Sequence, residues 1–256
     1  MHPDLALALE LADLADDVTL GRFLAADLAV EAKPDRTWVT EADRAAEIAL
    51  RQVIQASRPG HAVVGEELGA EGDGPWRWVL DPIDGTGNYV RGVPVFATLI
   101  ALQHEGEGVV GVVSAPALQR RWWAARGEGA FAAHGDDVRA IRVSGVADLA
   151  QAHLAYDDVP EFEAQGMGDA FLALLRRCWR TRGFGDFWAH VLVAEGAVDV
   201  AVEPVVALWD LAPLQVIVEE AGGRFTDLAG RPTPEGGSAV STNGLLHDEV
   251  LAALRP

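Results

Sequence analysis

Five acidic side chains stand where an apolar run meets a turn or a helix start. They are Asp43 in 39-VTEAD-43, Glu66 in 65-GEE-67, Asp81 and Asp84 in 80-LDPIDGTGN-88, and Asp210 in 208-LWDLAP-213. Taken singly, each has a plain reading: a solvated turn for Asp81 and Asp84, helix capping for Asp43 and Asp210. The adjacent Glu66 and Glu67 point to different sides of an extended chain, so one of them can face a cleft. Together the five exceed what capping requires. Gathered in one cleft, carboxylates repel one another and resist ionisation unless cations neutralise them. Oxygen donors with neither His nor Cys among them suit Mg²⁺ or Mn²⁺ rather than Zn²⁺. In the same turn, Gly85 and Thr86 offer backbone N–H groups and a hydroxyl, which suit a phosphate. Metal ions beside a phosphate cradle point to phosphoryl transfer to water.

These side chains need elements to carry them. The spacing of Leu5, Leu9, Ala12, Ala15 and Leu20 predicts an amphipathic helix over 4–30, followed by a loop over 31–38 broken by Pro34. Thr40 then caps a second helix, with Asp43 at capping-box spacing in place of the usual Glu. Apolar segments at 62–65, 76–80, 95–103 and 109–116 read as strands of one sheet, and 121–133 as a hairpin around Gly127–Gly129. Pro82 lacks an N–H, so the ladder is expected to end just after Asp81. From about Arg142 strands and helices alternate: strand 152–156, helix 161–177, a glycine turn 183-GFGD-186, helix 187–196, strand 198–203, helix 210–221, strands 223–228 and 238–242, helix 245–254. Such alternation predicts a layered α/β half. The expected division is 1–145, an α+β domain with most of the acids, and 146–256, an α/β domain carrying Asp210.

Composition narrows the function. With 256 residues, 50% hydrophobic and 23% charged, the chain has the make-up of a soluble globular protein able to bury a core. A formal net charge of −19 argues against nucleic acid as a partner. Lys33 is the only lysine and Cys178 the only cysteine. No apolar run reaches 18 residues and the N-terminus carries acids where a signal peptide carries bases, so neither membrane nor export is expected. The cytoplasm is the expected location.

The motifs 65-GEE-67, 81-DPIDGTGN-88 and 209-WD-210 resemble, in order and spacing, those of the inositol monophosphatase superfamily of metal-dependent phosphatases. With 39-VTEAD-43 the resemblance covers nearly the whole chain. It implies a five-layer αβαβα sandwich. Within the superfamily, 88-NYVRGVPVFATLIAL-102, 183-GFGDFWAHVLVAEGAVDVAVEP-204 and 241-STNGLLHDEVL-251 look most like the histidinol-phosphatase branch, which implies hydrolysis of L-histidinol phosphate in histidine biosynthesis. Gly87 departs from that branch, where a lysine is frequent, and this bears on substrate more than on reaction. Another small-molecule phosphatase of the superfamily, acting on inositol 1-phosphate for example, is the alternative.

Residue by residue, the resemblance implies that Glu66, Asp81 and the Ile83 carbonyl hold one Mg²⁺, with Mn²⁺ as an alternative. Asp81, Asp84 and Asp210 hold a second, and a third ion touches Glu66. Gly85 and Thr86 match phosphate contacts, and Asp43 with Thr86 the pair that orients and deprotonates the attacking water. No residue becomes phosphorylated. Asp186 and Glu203 match positions lining the substrate pocket, where an amine-bearing substrate wants carboxylates. Asn88 and Arg91 are placed on the phosphate-side rim, Arg91 being equally readable as a structural ion-pair partner. Trp188 reads as a cover for an imidazole or as core. Lys33, beside Pro34 and Asp35, reads as part of a mobile flap or of a plain loop. A homodimer is what the resemblance implies for assembly. Aspartyl-phosphate phosphatases do not fit, because their paired aspartates stand two residues apart and Asp81 and Asp84 stand three apart. A catalytically dead scaffold does not fit either, because no expected ligand is missing.

Overall fold

The computed structural model describes residues 2–34 and 37–255; Asp35 lies outside them. The first helix, α1 (Pro3–Arg22), stops well short of residue 30. Leu24 takes φ 63, a left-handed conformation that ends the helical path. Beyond it β1 (Val30–Ala32) and β2 (Trp38–Thr40) pair antiparallel, so the expected loop is a short ribbon with Lys33 and Pro34 at its tip. Thr40 caps α2 (Glu41–Ser57): its hydroxyl accepts from the N–H groups of Ala42 and Asp43, and the Asp43 carboxylate accepts from Thr40 N. The capping box forms with Asp as written in the sequence.

One large sheet follows, of β3 (Ala62–Gly65), β4 (Gly69–Glu71), β5 (Trp76–Asp84), β6 (Ala97–His104), β7 (Glu107–Ala115), β8 (Arg120–Ala125), β9 (Gly129–His134) and β10 (Asp137–Ile141). Its order is β10-β9-β8-β7-β6-β5-β3-β4, antiparallel except for β3 beside β5. The central strands are apolar almost throughout, as in 97-ATLIALQ-103, because both faces are covered. Pro82 does not end β5. The strand runs on to Asp84, with Asp81 opposite Leu99 and Asp84 opposite Ala97, so three steps on β5 span two on β6. The missing N–H of Pro82 is absorbed as a bulge, and its carbonyl accepts from Thr98 Oγ1 at 2.7 Å instead. A short helix, α3 (Thr86–Val90), leaves directly from the end of β5.

The second sheet comprises β11 (His153–Tyr156), β12 (Arg180–Gly183), β13 (Val200–Glu203), β14 (Arg224–Thr226) and β15 (Ala239–Thr242), in the order β12-β11-β13-β15-β14. The helix expected over 161–177 is two, α4 (Val159–Ala164) and α5 (Gly168–Arg177), parted at Gly166 with φ 73. The remaining helices are α6 (Asp186–Ala194), α7 (Leu208–Glu220) and α8 (His247–Leu254).

Packing yields five layers. Leu5, Leu11, Leu50 and Ile54 of α1 and α2 cover one face of the large sheet. Phe187, Val191, Leu214 and Ile217 of α6 and α7 fill the space against its other face. Ala189 and Val193 of α6 meet Ala155 and Ala201 of the second sheet, whose far face is covered by Phe171, Leu174, Val250 and Leu254 of α5 and α8. The αβαβα order is the one implied by the motifs. Among the described residues, no helix is long and apolar enough to cross a membrane.

Candidate active site

The site forms where the end of β5 meets the starts of α6 and α7. Side chains three apart on a regular strand point to opposite faces. The extra residue at Pro82 restores one face, so Asp81 and Asp84 turn the same way. Asp210 joins them from the first turn of α7. It is the third helical residue rather than the N-cap; Ala207 is the N-cap and has no side-chain acceptor, so Asp210 Oδ2 accepts from Ala207 N at 3.0 Å. Ligand atoms of Asp81, Asp84 and Asp210 lie within 4.8 Å of one another. Asp84 Oδ2 also accepts from Phe187 N at 2.7 Å, which ties α6 to the end of β5. The trio opens on a cavity of about 380 Å³, also lined by Trp38, Glu66, Ile83, Gly85, Thr86, Asn88 and Asp186.

Gly85 takes φ 80, and a Cβ there would stand 3.0 Å from Val95 O and 3.3 Å from Asp186 Oδ2. Only glycine turns the chain this tightly into α3, whose first N–H groups have no partner within the helix. Thr86 Oγ1 donates to Ile83 O at 2.8 Å and lies 3.3 Å from Asp43 Oδ1. The same Asp43 closes the capping box with its other oxygen. Glu66 also lines the cavity, but its Oε1 accepts from Lys33 Nζ at 2.7 Å, and Glu67 accepts from the same ammonium at 2.6 Å. Lys33 thus reaches the acidic site from the ribbon tip. The adjacent glutamates share one cation rather than facing opposite ways.

On the far side, Asp186 has φ 48, an uncommon conformation for a residue with a side chain. Its Oδ2 accepts from Asn88 Nδ2 at 3.3 Å. Glu203 Oε2 stands 3.2 Å from His190 Nε2. Arg91 is not among these groups. It follows Thr86 by five residues, a turn of about 140° round a helix axis, and lines a separate groove with Leu24, Tyr89 and Gly92. Trp188 packs against the core between the sheets, stacked on Phe184 and Phe187, and lines neither acidic cavity. Gly87 is exposed at the rim.

Burial pushes Asp81 and Asp84 well above the usual carboxylate range. The charges of Glu66, Asp84 and Asp210 add to this at Asp81, and those of Asp186 and Asp210 at Asp84. Burial likewise raises Asp210 to about 7 and Asp43 to about 6, the latter against hydrogen bonds from Thr40 that lower it. Among the described residues, Asp81, Asp84 and Asp210 make no ion pair with a basic side chain. Three converging carboxylates with no basic partner, Asp81 and Asp84 buried and Asp210 half-buried, fit a hard divalent cation.

The model of the inositol monophosphatase family matches residues 1–256. The histidinol-phosphatase of Mycobacterium tuberculosis is 55% identical over 255 residues, covering 99% of this chain and 98% of that relative. That of Streptomyces coelicolor is 54% identical over 256 residues, covering 98% and 96%. Among solved structures, the Thermotoga maritima IMPase superposes with a TM-score of 0.87 at 32% identity, over 98% of this chain and 96% of that one. The chain belongs to the inositol monophosphatase family, a family of phosphatases.

Proposed function

We propose that the protein is a Mg²⁺-dependent phosphomonoesterase that converts L-histidinol phosphate and water to L-histidinol and phosphate, a step of histidine biosynthesis carried out in the cytoplasm. The observation that carries the reaction is the converging trio Asp81, Asp84 and Asp210, which opens on a cavity shared with Gly85 and Thr86. The substrate rests on the two histidinol-phosphatases more than half identical over almost their whole length.

Asp81, Asp84 and Asp210, with Glu66 and the Ile83 carbonyl, would hold two or three Mg²⁺ ions, Mn²⁺ being an acceptable substitute. Bound there, the ions supply charge neutralisation for the phosphate and acidify water. Gly85 and Thr86 receive the phosphate oxygens through the backbone N–H groups at the start of α3. Thr86 Oγ1 fixes the attacking water, and Asp43 takes the proton that the water loses, directly or through the Thr86 hydroxyl. A base with a pKa of about 6 suits this work near neutral pH. The water oxygen bonds to phosphorus as the ester oxygen leaves, and the alkoxide takes a proton to become L-histidinol. No side chain carries the phosphoryl group. Asp186 and Glu203 face the leaving group. The working unit is a homodimer.

The substrate assignment is tested by phosphate release from L-histidinol phosphate and from inositol 1-phosphate. A higher kcat/KM for L-histidinol phosphate is expected; the reverse order would assign the protein to a different substrate within its family.

A further inference from the structure

Beyond the trio the site continues into a recess of about 90 Å³, lined by Asp84, Asp157, Asp186, Glu203 and Asp210 with apolar neighbours such as Val205. Asp157 was not marked by any motif. It follows β11 and lies against the glycine turn before α6: a Cβ on Gly185 would meet Asp157 Oδ1 at 2.2 Å. The residue is exposed at the mouth of the recess. At its floor Glu203 is only 5% exposed. Glu203 Oε2 lies 3.2 Å from His190 Nε2, a buried nitrogen that makes no hydrogen bond while Nδ1 of the same ring is held by Ser241 Oγ at 2.7 Å, and Glu203 Oε1 has no hydrogen-bond partner either. A buried carboxylate oxygen without a partner is costly unless a ligand completes it. Glu161 Oε2, from α4, is likewise buried and unpartnered.

Several acids elsewhere are met by arginine, as Glu31 is by Arg44 and Asp16 by Arg121. Among the described residues, Asp157, Glu161 and Asp186 have no such partner. Although Asp157 as a residue is exposed, the part of its carboxyl that turns into the recess is desolvated; this and the surrounding carboxylates push it to about 6, and the same causes push Glu161 to about 7. No arginine or lysine among the described residues lines the recess. A further metal ion is a poor candidate for it, because among the described residues Asp157, Asp186 and Glu203 do not converge within 4.8 Å as the trio does. Carboxylates set further apart around a small space fit an organic cation, whose N–H groups diverge.

We propose that Asp157, supported by Glu161, is a specificity-determining residue that receives a protonated amine of the leaving group, with the unpartnered Glu203 oxygen at the floor of the recess serving the same task. The proposal rests on the phosphatase reading of the site and deepens it. A matched pair of esters isolates the amine: phosphoethanolamine and ethylene glycol monophosphate differ only in NH₃⁺ against OH at the carbon next to the ester CH₂. The wild-type protein is expected to favour the amine by about tenfold or more in kcat/KM, and Asp157→Asn to bring that ratio close to one. Asp157→Glu, which keeps the charge, should retain most of the preference, and Glu161→Gln should lower it by a smaller factor. Asp157→Ser serves as a second neutral variant if the asparagine form does not fold. A wild-type ratio near one, a ratio unmoved in the neutral variants, or failure to hydrolyse the amine ester overturns the proposal. The comparison of L-histidinol phosphate with inositol 1-phosphate is a separate assay, so failure of the substrate reading and failure of this one are told apart.

Discussion

The carboxyl of Asp43 serves two neighbours at once. One oxygen closes the capping box of α2, and the other faces the Thr86 hydroxyl at 3.3 Å. Burial raises its pKa to about 6, so below that pH it carries a proton and cannot accept another. We expect kcat/KM to fall as pH drops through about 6, and the Asp43→Asn variant to lose about 10²- to 10⁴-fold in kcat across the whole range. A pH–rate profile flat from pH 8 to 5 would contradict the role of Asp43. At this scale the sequence was informative wherever a residue type is rare for its surroundings. Acids at the ends of apolar runs, as at Asp81, Asp84 and Asp210, stand out. Asp157 and Glu161 carry no such signal, because an acid in a polar stretch such as 157-DDVPEFE-163 is what a solvated loop ordinarily shows. The Lys33 contact was hidden for another reason: a side chain can reach Glu66 across 33 residues only once the ribbon is folded.

Among the elements, α7 must lie close to β7 for Asp210 to reach the trio. Gly111 permits this approach: a Cβ there would stand 2.4 Å from Pro213 O, a backbone atom that cannot swing aside. Gly111→Ala should therefore cost about 1–3 kcal/mol, read as a lowered denaturant midpoint, and weaken Mg²⁺ activation by shifting α7. An unchanged midpoint would show that the layer spacing is not fixed there. The opposite end of the molecule supplies a pH test. His247, at the first turn of α8, is buried between Thr226 and Thr242, with Thr226 Oγ1 at 2.9 Å and Thr242 Oγ1 at 3.0 Å. Burial, and then the Arg224 charge, lower its pKa to about 4. In the unfolded chain the imidazole takes a proton near pH 6.5, so its contribution, up to about 3 kcal/mol, is present above that pH and lost between 6.5 and 4. An NMR titration should find His247 neutral down to about pH 5; a midpoint at or above 6.5 would contradict its burial. Element types were readable from period and capping, as the Thr40–Asp43 box shows. Boundaries were not. The end of α1 depends on the left-handed turn at Leu24, and β12, 180-RTRG-183, has no apolar pattern because it is an edge strand held by β11.

At the scale of the whole molecule, two sheets separated by α6 and α7 bring Asp84, Phe187 and Asp210 together across more than 120 positions of chain. The layered architecture was legible through motifs whose spacing has meaning only in that fold. Hydropathy alone gave one sheet and a run of alternating elements, without their order. A chain of net charge −19 that gathers part of that charge in one carboxylate cluster has much to gain from divalent cations. Mg²⁺ dependence is therefore the claim on which the rest depends. The direct measurement is phosphate release from L-histidinol phosphate by protein stripped of metal with EDTA, followed by titration with Mg²⁺. The account predicts release at the level of the protein-free control in EDTA, restored in full as Mg²⁺ is added beyond the chelator. Undiminished release in EDTA would contradict it.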